Sequence, residues 1–475
     1  MISKDQLQNK PLVFVVFLSA FAFGSWTGCS HTEQQKVQQN AQPMASASLL
    51  EIKASQSLYR SLDRRKMSVN KTVDLGGVSD LVFDKASSGA DVEIYYAITD
   101  RGPNGESKDF DGDGFKERKF PVAEFTPQIL KIRVERKTGS ATLVETLSIK
   151  NPKGRALSGL PNVDPRKAKT KAAEFFSVDE IPVNIDGKAL GFDPWGLDPE
   201  GLLLDPSGGF WISEEYAPSI LKLDRKGQVV QRWLPLSGGN LGQKNSMRAG
   251  LEALPAVLNH RKGNRGLEAL SWTSKGTFLA FLQSELENTE KVSSKAKPSE
   301  SESMVSTLIL EFDPKAEKVI GLFAYPLHPL GGKIGAATLT ADGKVAVLEH
   351  NSKTGADAWQ KIFFIDLESA KNWLEQATKD GINFQFPAQN LMAVKKTLAA
   401  DLSPAGLRVF EKLEGLTTNS KNEWVVANDN DFFSSLVAAG ERKNSSSDDL
   451  STKNYLAFLP IGQMDIVNSA EGSTK

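Results

Sequence analysis

The chain has 475 residues, 40% hydrophobic and 24% charged, enough for a sizeable core in one large domain or up to three smaller ones, and inconsistent with wholesale disorder. Lys and Arg number 57 against 58 Asp and Glu, a formal net charge of −1. With no global field, bulk electrostatic attraction to nucleic acid or anionic membrane is excluded, and charge effects must be local.

At the N-terminus, MISKDQLQNK supplies two lysines and PLVFVVFLSAFAFG an apolar run of signal-peptide length, too short for a comfortable membrane span. It stops at WTGCS, where Cys29 is the only cysteine. A small-residue pair before a lone Cys resembles a bacterial lipobox, in which the Cys is lipidated; Trp26 departs from the Leu usual there. Residues 1–28 therefore read as a signal peptide with lipobox and Cys29 as the lipidation site, the alternative being an ordinary cleaved signal with an incidental Cys. Residues 29–48 are polar and low in complexity, a flexible tether. Residues 49–475 form a single domain, expected at the periplasmic or extracellular face of a bacterial membrane and touching it through the lipid alone. One Cys excludes internal disulfides and a Cys-based zinc site.

Beyond the tether, short β runs bounded by Gly, Asp and Pro replace helical periodicity. Residues 200–236 read as four strands, GLLLDP, GGFWISEEY, SILKLD and VVQRWLPL. The same phrase occurs over 80–150, 266–327, 334–367 and 413–460, and Glu200, Glu268 and Ala336 are evenly spaced. Four-stranded antiparallel units, each too small to fold alone, predict an all-β fold, a β-propeller. Five repeats are visible; a sixth blade could occupy 151–199, or residues 49–74 could complete the last one, and seven is the upper bound. DLESAKNWLEQATKD and NLMAVKKTLAADL read as helices decorating the fourth unit. Trp195, Trp211, Trp272 and Trp424 follow strand patterns and are assigned to blade cores.

Carboxylates recur at matching places. Where the innermost strand begins stand Asp80, Glu200, Glu268, Ala336 and Glu414; where the second strand ends stand Asp100, Glu214 with Glu215, Glu285, Glu349, and Asp429 with Asp431. In an antiparallel hairpin these places share one end. The long insertions, 101–125, 287–305 and 432–453, leave from that same end, as binding loops of a repeat array do. Acids crowded around one axis repel unless a cation sits among them, and hard oxygen ligands suit Ca²⁺, with Mg²⁺ the alternative. The competing reading is that Glu-Gly-Leu is a packing phrase. Within the first insertion, Asp109, Asp111 and Asp113 followed by Gly114 match half of an EF-hand-type calcium loop, but Phe120 stands where its closing Glu belongs. Either a separate calcium site or an acidic turn fits.

GVSDLVFD, YAITDRGPN, FPVAEFTPQIL, GLDPEGLLLD, GGFWISEEYAPSILKLD, NRGLEALSW and KLEGLT together resemble the phytase-like domain family, also described as having esterase-like activity of phytase, from about Gly76 to Pro460. The resemblance implies an exported bacterial propeller hydrolase acting on phosphate or carboxylic esters. From the residues themselves, Arg101, Arg265, Lys153 and Arg155 lie near the acids or in neighbouring loops. A cation flanked by guanidinium groups suits a phosphoester, with a carboxylate as base; an ion pair with a neighbouring acid is the alternative for each Arg. No G-x-S-x-G, HExxH, Walker or GxGxxG motif occurs. His350 follows Glu349 on the expected site face and is a candidate acid or base; His260 and His328 sit in turns.

The resulting expectation is a metal-dependent hydrolase of a small ester, phosphate monoester first. Its catalytic set is Glu200, Glu268, Arg101 and His350. Its metal ligands come from Asp80, Asp100, Glu200, Glu214, Glu268, Glu414 and Asp429, with Asp109, Asp111 and Asp113 as the second group. The partner is a small-molecule substrate, with no nucleic acid and the chain a monomer. The alternatives are a lactonase or carboxylesterase, and a non-catalytic cell-envelope binding propeller with structural calcium.

Overall fold

The computed structural model describes residues 46–60, 72–167, 180–237, 244–245, 248–287, 305–387, 391–442 and 449–461. The signal peptide, Cys29 and most of the expected tether lie outside them. Among the described residues no helix is long and apolar enough to cross a membrane.

Five antiparallel blades stand around one axis. The first comprises Val78–Phe83, Val92–Thr99, Gln128–Glu135 and Ser140–Ser148, and the second Pro199–Leu204, Phe210–Glu214, Ser219–Leu223 and Val229–Pro235. The third is Leu267–Trp272, Phe278–Leu282, Ser306–Asp313 and Lys318–Pro326; the fourth is Lys333–Leu339, Val345–His350, Gln360–Asp366 and Lys395–Asp401. The fifth takes Lys412–Thr418, Glu423–Asp429 and Tyr455–Pro460 from the C-terminal region and its outer strand, Ser48–Lys53, from the N-terminal one. Ser48–Lys53 also pairs in parallel with Ser140–Ser148 of the first blade. The innermost strands contact one another in a closed ring.

Among the described residues the blade count is thus five. Residues 151–199 form no sixth blade among those described; there Ile181–Val183 pairs in parallel with Glu117–Lys119 of the first insertion. Of the two expected helices, the first exists as Leu374–Asp380, but residues 395–401 of the second are the outer strand of blade four, paired antiparallel with Gln360–Asp366. An unpaired edge there would leave a row of backbone donors and acceptors unsatisfied, and pairing overrides helix propensity.

The core lies between blades, one apolar cluster per junction. Ile98, Leu202 and Phe210 join blades one and two; Trp211, Trp233, Phe278 and Phe312 join two and three. Phe281, Tyr325 and Val347 join three and four, Leu348, Trp424 and Val426 four and five, and Tyr95, Val425 and Phe458 close the ring. Trp211 stacks on Trp233 at 5.5 Å. Trp211 and Trp424 are buried within strands, as their pattern indicates, and Trp272 packs half-buried on the cluster that holds Trp211. Trp195 instead lies in the turn before Pro199–Leu204 and not in a strand, packed half-buried on the cluster between blades one and two.

Candidate active site

The innermost strand of every blade carries a β-bulge at the same place. Register skips one residue between Val78 and Asp80, Pro199 and Leu202, Leu267 and Ala269, Ile334 and Ala336, and Leu413 and Gly415. A bulge leaves its extra residue unpaired and re-aims it. Here those residues are Ser79, Glu200, Glu268, Gly335 and Glu414, and the four with side chains line a single cavity of about 430 Å³. The position after the bulge faces the neighbouring blade. A Cβ on Gly201 would come within 2.8 Å of Leu270 N, and one on Gly415 within 2.9 Å of Leu81 Cβ. That close approach is why glycine follows both glutamates.

Asp80 takes this second position, not the first. Its carboxylate accepts the amides of Leu81 and, in the next blade, Leu202, both at 2.7 Å. Burial nevertheless pushes its pKa well above the carboxylate range. Asp80 therefore staples blades one and two instead of joining the channel ring expected of it.

The second strands contribute Asp100, Glu215, Gln283, His350 and Asp429 to the same cavity. Glu214, expected as a metal ligand, points the other way. It is fully buried, paired with Arg232 at 2.6 Å, and accepts from Ser219 Oγ and the amides of Tyr216 and Ala217. Glu349 is likewise turned into its blade, against Lys396, Tyr325 Oη and the His328 amide. Glu285 pairs with Lys262 away from the cavity. Side chains alternate along a strand, so the ring takes the second acid of the Glu214–Glu215 pair.

Two regions are distinguishable in the cavity. On the blade-five side Lys412 lies 3.0 Å from Asp429, 2.8 Å from Asp431 and 3.8 Å from Glu414. Burial opposes the Lys412 charge, but Asp431, Glu414 and Asp429 hold it protonated well above its ordinary pKa. On the blade-two side Asp198, Glu200 and Glu215 bring one carboxylate oxygen each within 4.8 Å of the others. Arg101 closes this group: its amide donates to Asp198 Oδ1 and its Nη1 lies 3.0 Å from Asp198 Oδ2. The ion pair thus crosses between blades and does not involve the adjacent Asp100, whose carboxylate accepts the Gly102 amide.

Burial is the largest cause raising six of the cavity's acids. It lifts Asp198 to about 6 despite Arg101, Asp429 to about 6 despite Lys412, and Glu268 to about 8 with help from Glu215. Glu200, Glu414 and Asp100 are also well above the carboxylate range. His350 goes the other way: burial, with Lys333 and Lys412 nearby, holds it down at about 3. Its Nδ1 accepts the Ser352 amide at 3.2 Å, which assigns the proton to Nε2. The expected acid or base role is therefore corrected, since His350 stays a neutral N–H donor at physiological pH.

Buried polar atoms without a hydrogen-bond partner gather here. Among the described residues they include Ser79 Oγ, Arg101 Nε, Glu215 Oε1, Glu268 Oε2, Gln283 Oε1 and His350 Nε2. Stranded donors and acceptors are costly unless something binds them. Arg265, Lys333, Arg118 and Arg442 also line the cavity, whereas Arg155 pairs with Asp193 and Lys153 is not part of the lining. A larger apolar hollow of about 940 Å³ on blades three to five holds none of these unpartnered atoms. Sequence patterns pointed to Arg101, Arg265, Glu200, Glu268, Glu414, Asp100 and Asp429, placed Glu215 beside Glu214 but took Glu214 as the ligand, and missed Asp198, Lys333 and Lys412. The shared bulge, readable as the Glu-Gly step, is the signal that would have moved the choice from Glu214 to Glu215.

The raised acids set a pH dependence. A carboxyl whose folded pKa exceeds its unfolded value stabilises the fold below the unfolded pKa, and that contribution is lost as pH rises through the folded value. For Asp198, Asp429 and Glu268 the window runs from about pH 4 to about pH 8. Asp431, held well below its ordinary value by Lys412 and Arg442 against the effect of burial, titrates beneath that window. Denaturant unfolding in EDTA should give lower stability at pH 8.5 than at pH 5, and calcium should flatten the slope by binding the ionised acids. Greater stability at pH 8.5 in EDTA would contradict this electrostatic account.

Residues 73–432 match the family described as phytase-like, esterase-like activity of phytase. A curated relative from Arthroderma benhamiae, described as an uncharacterized secreted protein, is 26% identical over 160 residues, covering 31% of each chain. The chain thus spans about a third of that relative's length. Among solved structures, the PQQ-bound aldose sugar dehydrogenase of Streptomyces coelicolor is 10% identical with a TM-score of 0.31, covering 88% of this chain and 99% of that one. A protein of unknown function from Dyadobacter fermentans is 11% identical with a TM-score of 0.33, covering 88% and 95%.

Proposed function

The chain belongs to the phytase-like family, and from that premise we propose that it is an exported, metal-dependent hydrolase of small phosphate monoesters working at the channel mouth. The observation that carries the reading is the pairing of two kinds of unsatisfied group in one small cavity. Carboxylate oxygens of Glu215 and Glu268 lack donors, and Arg101 Nε and His350 Nε2 lack acceptors, among the described residues.

Asp198, Glu200 and Glu215 fit a hard divalent cation: all three are buried, offer oxygen only, and stand within mutual reach. When bound, the cation would neutralise the crowded acids and polarise a phosphoryl oxygen. The other residues bind and orient. Arg101, fixed by Asp198 and lying 5.7 Å from the Tyr216 ring centroid, presents its free Nε to an anionic oxygen. Arg265 and Lys333 supply further positive charge on the blade-three and blade-four side. Neutral His350 donates from Nε2. Glu268, with Oε2 unpartnered, is placed to take a proton from the attacking water.

The reading is tested by turnover of an aryl phosphate and an aryl acetate by the purified protein, each in calcium and in EDTA. The expected result is phosphate hydrolysis in calcium, lost in EDTA while circular dichroism shows the fold intact. Turnover of neither ester with calcium bound would favour a binding propeller. Acetate hydrolysis indifferent to EDTA would favour a cation-independent esterase.

A further inference from the structure

The first insertion carries a second cluster that the channel does not use. Strands Ser107–Lys108 and Glu117–Lys119 pair antiparallel, with Lys108 opposite Glu117, and the connecting tip holds Asp109, Asp111 and Asp113. Asp109 accepts the amides of Gly112 at 2.6 Å and Gly114 at 3.0 Å; Asp111 accepts from Asp113 and Asp113 from Phe115. These bonds shape the turn without identifying a ligand.

Glu117 does identify one. It is 4% exposed, its Oε2 accepts the Phe110 amide at 2.6 Å, and its Oε1 is buried with no partner among the described residues. One oxygen each from Asp109, Asp111, Asp113 and Glu117 lies within 4.8 Å of the rest. Of the bases nearby, Lys108 pairs with Glu106, Arg118 with Glu180, Lys119 with Glu441 and Arg166 with Asp164, although Arg166 also feels the charges of Asp113 and Asp111. Phe120 is buried in the position where an EF-hand-type loop has its closing glutamate, so the fourth carboxylate comes from three residues earlier. A buried glutamate grouped with three exposed aspartates, one of its oxygens without a partner among the described residues and oxygen the sole donor, selects a hard cation that tolerates irregular geometry.

We propose that Asp109, Asp111, Asp113 and Glu117 hold a calcium ion at the tip of this hairpin, a site separate from the channel. Its consequence for the channel runs through Arg118, the neighbour of Glu117 on the same strand. Arg118 donates to Asn104 Oδ1, the Gly105 carbonyl and Glu180, and lines the cavity. A cation at the tip therefore ties the hairpin that forms part of the mouth's wall.

Calorimetric titration of the purified full chain with calcium chloride, in wild type, Asp111→Asn, Asp113→Asn, Glu117→Gln and Glu200→Gln, decides the matter. Asp111 and Asp113 are exposed at the tip, so their variants retain the fold. The expected result is one binding event lost, or weakened about tenfold or more, in the Asp111 and Asp113 variants, weakened likewise in Glu117→Gln, and retained in Glu200→Gln. A wild type that binds one calcium, removed by Asp111→Asn and kept in Glu200→Gln, upholds this site and counts against the channel cation. Titrations of Asp111→Asn and Asp113→Asn that match wild type, or loss of all binding in Glu200→Gln, overturn it.

Discussion

Glu268→Gln lowers turnover of an aryl phosphate by about 10²- to 10⁴-fold, the span of general-base losses, without lowering the midpoint of thermal unfolding. The side chain is 1% exposed and burial favours its protonated form, with a pKa of about 8 in the absence of a cation. Glutamine has the shape of that neutral acid, so the substitution keeps the packing and removes only the proton acceptor that Glu268 becomes once a bound cation favours its ionised form. A packing role for Glu-Ala-Leu makes the opposite forecast, a loss of stability with turnover following only the folded fraction. Turnover and melting curves on the same sample separate the two. Unchanged turnover in folded Glu268→Gln would remove Glu268 from the chemistry.

Arg232→Met costs about 3–5 kcal/mol of stability, the range for removing one partner of a buried ion pair. Arg232 and Glu214 are both fully buried, 2.6 Å apart, and Arg232 also donates to Ser219 Oγ at 2.9 Å and to Asn162 Oδ1 and the Pro194 carbonyl at 3.3 Å. Methionine fills the volume but leaves the Glu214 charge without its counterion and takes a donor from three further acceptors. The double substitution Arg232→Met with Glu214→Gln should recover part of the loss, since glutamine removes the unpaired charge while its amide oxygen can still accept from the backbone donors that Glu214 serves. Denaturant midpoints of the single and double variants give the answer. A single variant as stable as wild type would show that Glu214 is satisfied without Arg232.

The contrast between Glu214 and Glu215 marks how far the sequence could be read. Repeated four-strand phrases located all five blades, and the recurrence of acids at strand ends brought Arg101, Glu200, Glu268, Glu414, Asp100 and Asp429 to one cavity. A hydrophobic pattern of period two reports which residues face the core, but it loses phase at a bulge, and every inner strand here has one. Asp80 was misplaced by that single step, and Glu214 was chosen over its neighbour for want of register. Lys412 and Lys333 went unnoticed because a lysine at the start of a strand has no signature of its own; only the ring places them among acids. NLMAVKKTLAADL has helical spacing, yet its residues 395–401 close the edge of blade four, a demand that comes from the neighbouring strand and not from the segment itself.

The fifth blade joins the two ends of the chain: Ser48–Lys53 lies beside Tyr455–Pro460. During synthesis, the first of the described strands to emerge must therefore wait for the last of them. Blades one to four can assemble as they appear, but the ring stays open until Tyr455–Pro460 is delivered, and until then the waiting strand has only Ser140–Ser148 of blade one to pair with. The cavity mouth shares that fate, since Glu414, Asp429 and Lys412 all belong to the blade completed at the end. The order of synthesis thus withholds the assembled site until blade five is closed.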